Sequence, residues 1–382
     1  YGFFGALAVS VLFVIGAASP PRHRPGLGQL GPNMTLNMGF ICYGMAASLA
    51  EPLSLRFFAF HLASFLIVLL VVSSVRRYEQ LQLVSAMAVL GITVAALYGC
   101  YQGYIGVDVV ASQQDLTLNA DMPGRVYGFF DNPNNFAELL AMLIPLDLAL
   151  FLNARTWRGK LWSAVALIPC VAAIGYTYGR ASWIGLALAV VIFLAFQNWR
   201  LVPVIIVLGL LAIPILPQSI YNRILTIGNM EDSSTSYRFA IWEATGNLLR
   251  DYWYRGVGLG NDVMREVFER NYPTMFDGNY PIHTHNNYLQ MWGETGILGL
   301  ISYLALLLSQ LKGGVRAFCY GADRRVKNIL AAAISGFCGI LVIGLVEYTW
   351  FYPRNMFVYF FLFGIISVCI KLLRTERRGR DA

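Results

Sequence analysis

The chain has 382 residues, of which 57% are apolar and only 13% charged, with a net charge of +7 and a mean hydropathy of +0.57. That balance excludes a soluble globular domain and identifies a polytopic membrane protein. The excess of cations is accounted for by membrane-topology signals, so it carries no nucleic-acid inference.

Apolar runs of about 17 to 21 residues, enough to cross a hydrocarbon core of roughly 30 Å, recur along most of the chain. They predict an all-α fold of about eleven transmembrane helices, at residues 1–18, 34–50, 56–75, 83–101, 136–153, 161–178, 181–197, 201–217, 287–311, 328–347 and 355–373. Cationic loops are retained on the cytoplasmic side. With the C-terminus inside, the inner segments hold Arg22 and Arg24; Arg76 and Arg77; Arg155, Arg158 and Lys160; Arg200; the group Lys312 to Lys327; and the basic tail from Lys371 to Arg380. Most acids fall on the other side. The odd span count places the N-terminus outside, and residue 1 is Tyr, so an upstream inward-starting helix and twelve spans in the full chain are expected. Three blocks follow: eight helices over 1–217 with an outer loop at 102–135, an extracytoplasmic loop at 218–286, and three helices with a basic cytoplasmic tail over 287–382. The six cysteines show no spacing that suggests zinc or an external disulfide.

Loops as long as 102–135 and 218–286 are usually functional in a compact architecture. The first ends in Gly124-Arg125-Val126-Tyr127-Gly128, followed by Asn132-Pro133-Asn134-Asn135. Arg180 stands in a short outer turn, Tyr178-Gly179-Arg180-Ala181-Ser182, between two apolar spans where an unpaired guanidinium is costly. In the second long loop, Ser233 to Ser236 can cap a helix running from Tyr237 to Leu249, with Arg238 in its first turn. Its apolar residues recur at helical spacing, which suits packing over the bundle or lying on the membrane. Gly256-Val257-Gly258-Leu259-Gly260 invites a phosphate-loop reading, but no predicted strand precedes it, and a tight turn is expected.

The loop closes with His283-Thr284-His285-Asn286-Asn287 at the start of the ninth span. A helix N-terminus favours the neutral imidazole that a general base needs. Two histidines two residues apart can equally share a metal or be plain surface groups, and spacing alone leaves all three open. An outer arginine is usually an interface anchor or a surface ion pair. Three of them beside apolar entries, with a histidine, suit a dianionic diphosphate better, because guanidinium binds such oxygens bidentately and stays charged.

In this order and with this sidedness, Gly124-Arg125 with Asn132-Pro133-Asn134-Asn135, Gly179-Arg180-Ala181-Ser182, Arg238 with Trp242, the Gly256 to Gly260 turn, and His285-Asn286-Asn287-Tyr288-Leu289-Gln290 with Glu294 and Gly296 resemble the signature of the bacterial O-antigen ligase and O-antigen polymerase superfamily. The resemblance covers about residues 120 to 300. It implies a helical membrane fold related to the GT-C glycosyltransferases, situated in the cytoplasmic membrane with its active site on the periplasmic side. It implies transfer of a glycan from undecaprenyl diphosphate to an acceptor hydroxyl without cofactor or metal. By the resemblance His285 is the base, Arg180 and Arg238 hold the diphosphate, and Arg125 is a further member of the clamp. Asn132, Asn134, Asn286 and Asn287 are then sugar or diphosphate ligands, with helix capping as their ordinary alternative.

The acceptor is lipid A core in a ligase, a second carrier-linked glycan in a polymerase, and a protein in a third branch; the Arg180, Arg238 and His285 pattern resembles the ligase branch most. A glycolipid transporter is the rival from another class. Transporters carry ionisable residues near the midplane, often in repeated halves. Here Glu138 and Asp147 in the fifth span and Glu347 at the end of the tenth do not recur in matching positions, and Asp147 is expected to be a paired bundle residue.

Overall fold

The computed structural model describes residues 31–110, 122–229, 231–272 and 280–381. The expected span at 1–18, with Arg22 and Arg24, lies outside the described residues. Among them the structure is all α-helix, with no strand. Eight helices are long and apolar enough to cross a membrane: α2 (Glu51–Ser74), α3 (Tyr78–Ile105), α4 (Pro133–Asn153), α5 (Trp157–Tyr176), α6 (Arg180–Asn198), α11 (Asn287–Tyr320), α12 (Arg324–Ile343) and α13 (Pro353–Asp381). The protein is therefore an integral membrane protein. Helix α1 covers Gly31–Ala46 among the described residues. One predicted span takes another form. The run 201–217 is broken: α7 (Leu201–Ala212) and a 3₁₀ turn lead into α8 (Gln218–Leu225) with a bend of 117°. Pro214 lies within the 3₁₀ turn and Pro217 precedes α8, and each lacks the N–H that would continue the ladder.

The chain forms two compact units, one of residues Tyr1–Arg77, Tyr237–Ala322 and Gly344–Ala382, the other of Tyr78–Ser236 and Asp323–Ile343. In the second unit α12 packs against α4 and α6, and α3 against α5. Glycines set the closeness of these helices. A Cβ on Gly336 would stand 2.1 Å from the Met142 carbonyl oxygen, and one on Gly185 2.9 Å from that of Gly339. Small residues allow such backbone approach where lipid supplies no hydrophobic drive. Asp147 is buried in α4 and accepts a hydrogen bond from the Ser163 hydroxyl, the pairing expected of it.

In the first unit α13 packs against α2 and α11, and α11 against α1. The long segment after α8 is helical rather than an open loop: α9 (Ser233–Tyr252) is followed by α10 (Asn261–Asn271). Ile241, Ala244, Leu248 and Leu249 form the buried face of α9. Ala244, Leu248 and Leu249 share a small core with Val257, Val263, Met264, Val267 and Phe268. Helix α9 starts one turn earlier than the pattern predicted. Asp232 accepts its first backbone bond, from Ser236, so Ser233 to Ser236 lie in the first turn and Arg238 in the second.

Candidate active site

In the first unit, the segment 282–286 leads into α11. Asn286 is the N-cap: its Oδ1 accepts from the backbone N–H of Tyr288 at 2.9 Å and of Leu289 at 3.0 Å. Its amide also donates to the Leu345 carbonyl at 2.8 Å. Asn287 donates to Thr349 Oγ1 at 2.7 Å and accepts from the Thr349 N–H at 2.8 Å. The two asparagines thus tie the segment after α12 to the mouth of α11.

That segment delivers Glu347 to His285. Glu347 Oε2 lies 3.3 Å from His285 Nδ1, and its Oε1 accepts from the Arg238 guanidinium, whose Nε donates to the Val346 carbonyl at 2.8 Å. Burial would push the Glu347 carboxyl up, but the charges of Arg238 and His285 outweigh it and hold the group below the ordinary carboxylate range. An ionised carboxylate only accepts hydrogen bonds, so Nδ1 must carry the proton. In the neutral ring Nε2 is then left with its lone pair, the tautomer a general base requires. The side chain of His285 is 23% exposed, enough to meet a substrate.

His283 has a different task. It is buried among the rings of His285, Tyr348 and Phe351, and its Nδ1 accepts the backbone N–H of His285 at 3.2 Å. That bond helps to hold His285 at φ +47, a conformation that costs a non-glycine residue on the order of 1 to 3 kcal/mol. Burial, with the neighbouring His285 and Arg238 charges, lowers the His283 pKa well below 6.5, against the opposing pull of Glu347. The unfolded chain therefore binds this proton more readily than the folded one below about pH 6.5, and stability falls as pH drops through that range. Thermal melting is expected at lower temperature at pH 5 than at pH 7, and His283→Asn is expected to remove part of that dependence.

The glycine turn packs against α11. Gly256, Gly258 and Gly260 have φ of +72°, +115° and +96°, a region open chiefly to glycine. The N–H groups of Val257, Gly258 and Gly260 are taken by Gly293 O, Glu294 O and Glu294 Oε1, at 2.7, 3.2 and 2.9 Å. With these donors spent internally, the motif is the tight turn the sequence predicted, not a phosphate cradle.

The other two arginines lie in the second unit. Arg180 opens α6 and donates through one nitrogen to the Thr226 carbonyl and hydroxyl at 2.7 and 3.1 Å, and through the other to Asp232 Oδ1 at 2.8 Å and Ser234 Oγ at 2.7 Å. Arg223 meets Asp232 Oδ2 at 3.2 Å. Asp232 is fully buried; burial opposes its ionisation, but Arg180, Ser234 and Arg223 hold its pKa down. Arg125 donates to the Thr177 carbonyl at 2.6 Å and to Asn134 Oδ1, and Asn132 is the N-cap of α4, accepting from the Asn134 N–H at 2.8 Å. Tyr178, two residues before Arg180, has φ +52°; it and His285 are the only non-glycine residues at positive φ among the described residues.

Glu347, Asp232 and Arg223 were not among the residues singled out as site groups. Glu347 was visible only as an acid at the end of an apolar run, and no spacing pairs it with His285. Comparisons with known proteins match the later part of the motif-bearing stretch. Residues 165–304 match the O-antigen ligase family. The matched residues include Arg180, Arg238 and His285 and leave out Arg125 and Glu347. A Rickettsia felis protein with the name "Putative polysaccharide ligase" is 27% identical over 180 residues, 44% of this chain and 42% of that protein. One of Rickettsia prowazekii with the same description is 27% identical over 197 residues, 47% of this chain and 45% of its own length. The match thus spans less than half of these curated relatives. Together these similarities support the O-antigen ligase superfamily, the one the motifs resemble.

Proposed function

We propose that the protein is a glycosyltransferase of the O-antigen ligase type, moving a glycan from undecaprenyl diphosphate to lipid A core by metal-independent, inverting transfer at the periplasmic face of the bacterial cytoplasmic membrane. The observation that carries this reading is the Glu347–His285 contact, which fixes the histidine with Nε2 free to act. His285 Nε2 takes the proton from the acceptor hydroxyl as its oxygen attacks the anomeric carbon. The bond from that carbon to the diphosphate oxygen breaks on the opposite side, the diphosphate leaves with the electron pair, and the configuration inverts. Glu347 orients the ring and balances the imidazolium that forms, the logic of a nucleophile–base–orienter set.

Arg238, already at Glu347, stabilises charge on the departing diphosphate. Arg180 takes the same role on the strength of the family resemblance, with Arg125, Asn132, Asn134, Asn286 and Asn287 as further groups that hydrogen-bond the glycolipid. Arg180→Ala is expected to lower transfer by about 10²- to 10³-fold, the usual loss for one preorganised charge stabiliser. Arg180→Lys is expected to recover little, since an ammonium cannot reproduce the forked contact. Initial rates in purified protein of matched melting temperature check both.

The test of the function offers purified protein an undecaprenyl-diphosphate-linked glycan with either lipid A core or a second carrier-linked glycan. Product on lipid A core supports the ligase. Product growing on the carrier makes the protein a polymerase, and movement of glycolipid across the bilayer without any product makes it a transporter.

A further inference from the structure

Two residues of the sequence motif, Gln290 and Glu294, have no part in the chemistry above, yet they lead to Thr284, the residue before His285. Both are buried on the first turns of α11. Gln290 Oε1 accepts the backbone N–H of Thr284 at 2.9 Å, while its Nε2 donates to Glu294 Oε1, also at 2.9 Å. The same Glu294 oxygen accepts the Gly260 N–H at 2.9 Å. On the other side of Thr284, its carbonyl accepts from Trp242 Nε1 at 3.0 Å. The residue before His285 is therefore fixed through both of its backbone polar groups, and one of these fixings is anchored in the glycine turn.

We propose that Gln290 and Glu294 are positioning residues for His285, a relay that runs from the Gly256–Gly260 turn to the Thr284 backbone and holds the imidazole against Glu347. The inference rests on His285 being the base. One Glu294 oxygen accepts twice, from Gln290 and from Gly260, and the Gln290 amide both accepts and donates. A residue confined to positive φ relaxes toward commoner backbone angles once its neighbour is released. Loss of the relay therefore turns the ring away from Glu347 and into solvent.

The shared oxygen gives a test. Gln290→Met removes both bonds of the amide without adding charge, whereas Glu294→Gln keeps one oxygen that can accept from both Gln290 and Gly260. The readout that needs no substrate is carbethoxylation of His285 by diethyl pyrocarbonate, followed by peptide mass spectrometry with buried His61 as internal control. Gln290→Met is expected to speed modification of His285 by about tenfold, the usual size of coupling between groups in one hydrogen-bond network. Glu294→Gln is expected to keep the wild-type rate. Glu294→Met, which removes the shared acceptor, is expected to behave like Gln290→Met and replaces it if that variant does not fold. In the transfer assay Gln290→Met is expected to lower kcat with donor KM unchanged, and Glu294→Gln to keep it. Equal His285 reactivity in wild type and Gln290→Met, or a Glu294→Gln protein as reactive as Gln290→Met, overturns the relay. Absence of transfer by the wild-type protein instead overturns the proposed function, and the reactivity arm still decides the positioning role.

Discussion

His285→Ala is expected to lower transfer by about 10²- to 10⁴-fold, the contribution typical of a general base, with little change in melting temperature. The side chain is partly exposed and meets Glu347, His283 and the Tyr237 ring. Removing it therefore leaves no large cavity, and the Glu347 carboxylate keeps its Arg238 partner. Single-turnover rates in reconstituted protein check the result. A folded His285→Ala protein with full activity would remove the base from the mechanism.

Glu347→Gln is expected to cost a comparable factor, on the order of 10²- to 10⁴-fold. An amide at that position can present N–H to Nδ1 as readily as oxygen. If it does, the ring proton shifts to Nε2 and the base loses its lone pair. The substitution also leaves Arg238 facing a neutral partner in a largely buried place, where breaking one side of an ion pair destabilises, so melting curves must accompany the kinetics. Glu347→Asp keeps the charge and polarity and is expected to retain more activity than Glu347→Gln. The reverse order would show that the carboxylate is not what orients the ring.

These two expectations differ in how far the sequence announced them. His285 stood out because a histidine beside a helix start, after a long loop and in a recognisable motif, is rare in so apolar a chain. Glu347 lies 62 positions further on and was visible only as an acid ending an apolar run, where it entered the weighing of a transporter. Its pairing depends on how the segment after α12 folds back, which Asn286 and Asn287 secure through Leu345 and Thr349. No periodicity encodes that return. Asp232 was hidden for a similar reason: next to a serine run it reads as part of a cap, and only the tertiary approach of Arg180 and Arg223 turns it into a buried counter-ion.

The spans were legible wherever hydropathy and length agree, as in α3, α4 and α12. The run 201–217 kept its hydropathy and lost its straightness, and Pro214 and Pro217 could have indicated the break. The glycine turn was legible from what preceded it, since a phosphate loop needs a strand. What the turn packs against was not, because Glu294 becomes its partner only through the approach of α11.

The most direct test of the mechanism is the anomeric configuration of the glycan product, read by NMR after transfer to lipid A core in the presence of a chelator. Transfer that survives the chelator and inverts the configuration is the expected result, because one base and one in-line displacement allow no other outcome. Product with retained configuration would contradict it, since that requires a covalent glycosyl intermediate for which His285 and Glu347, as a base and its orienter, provide no step.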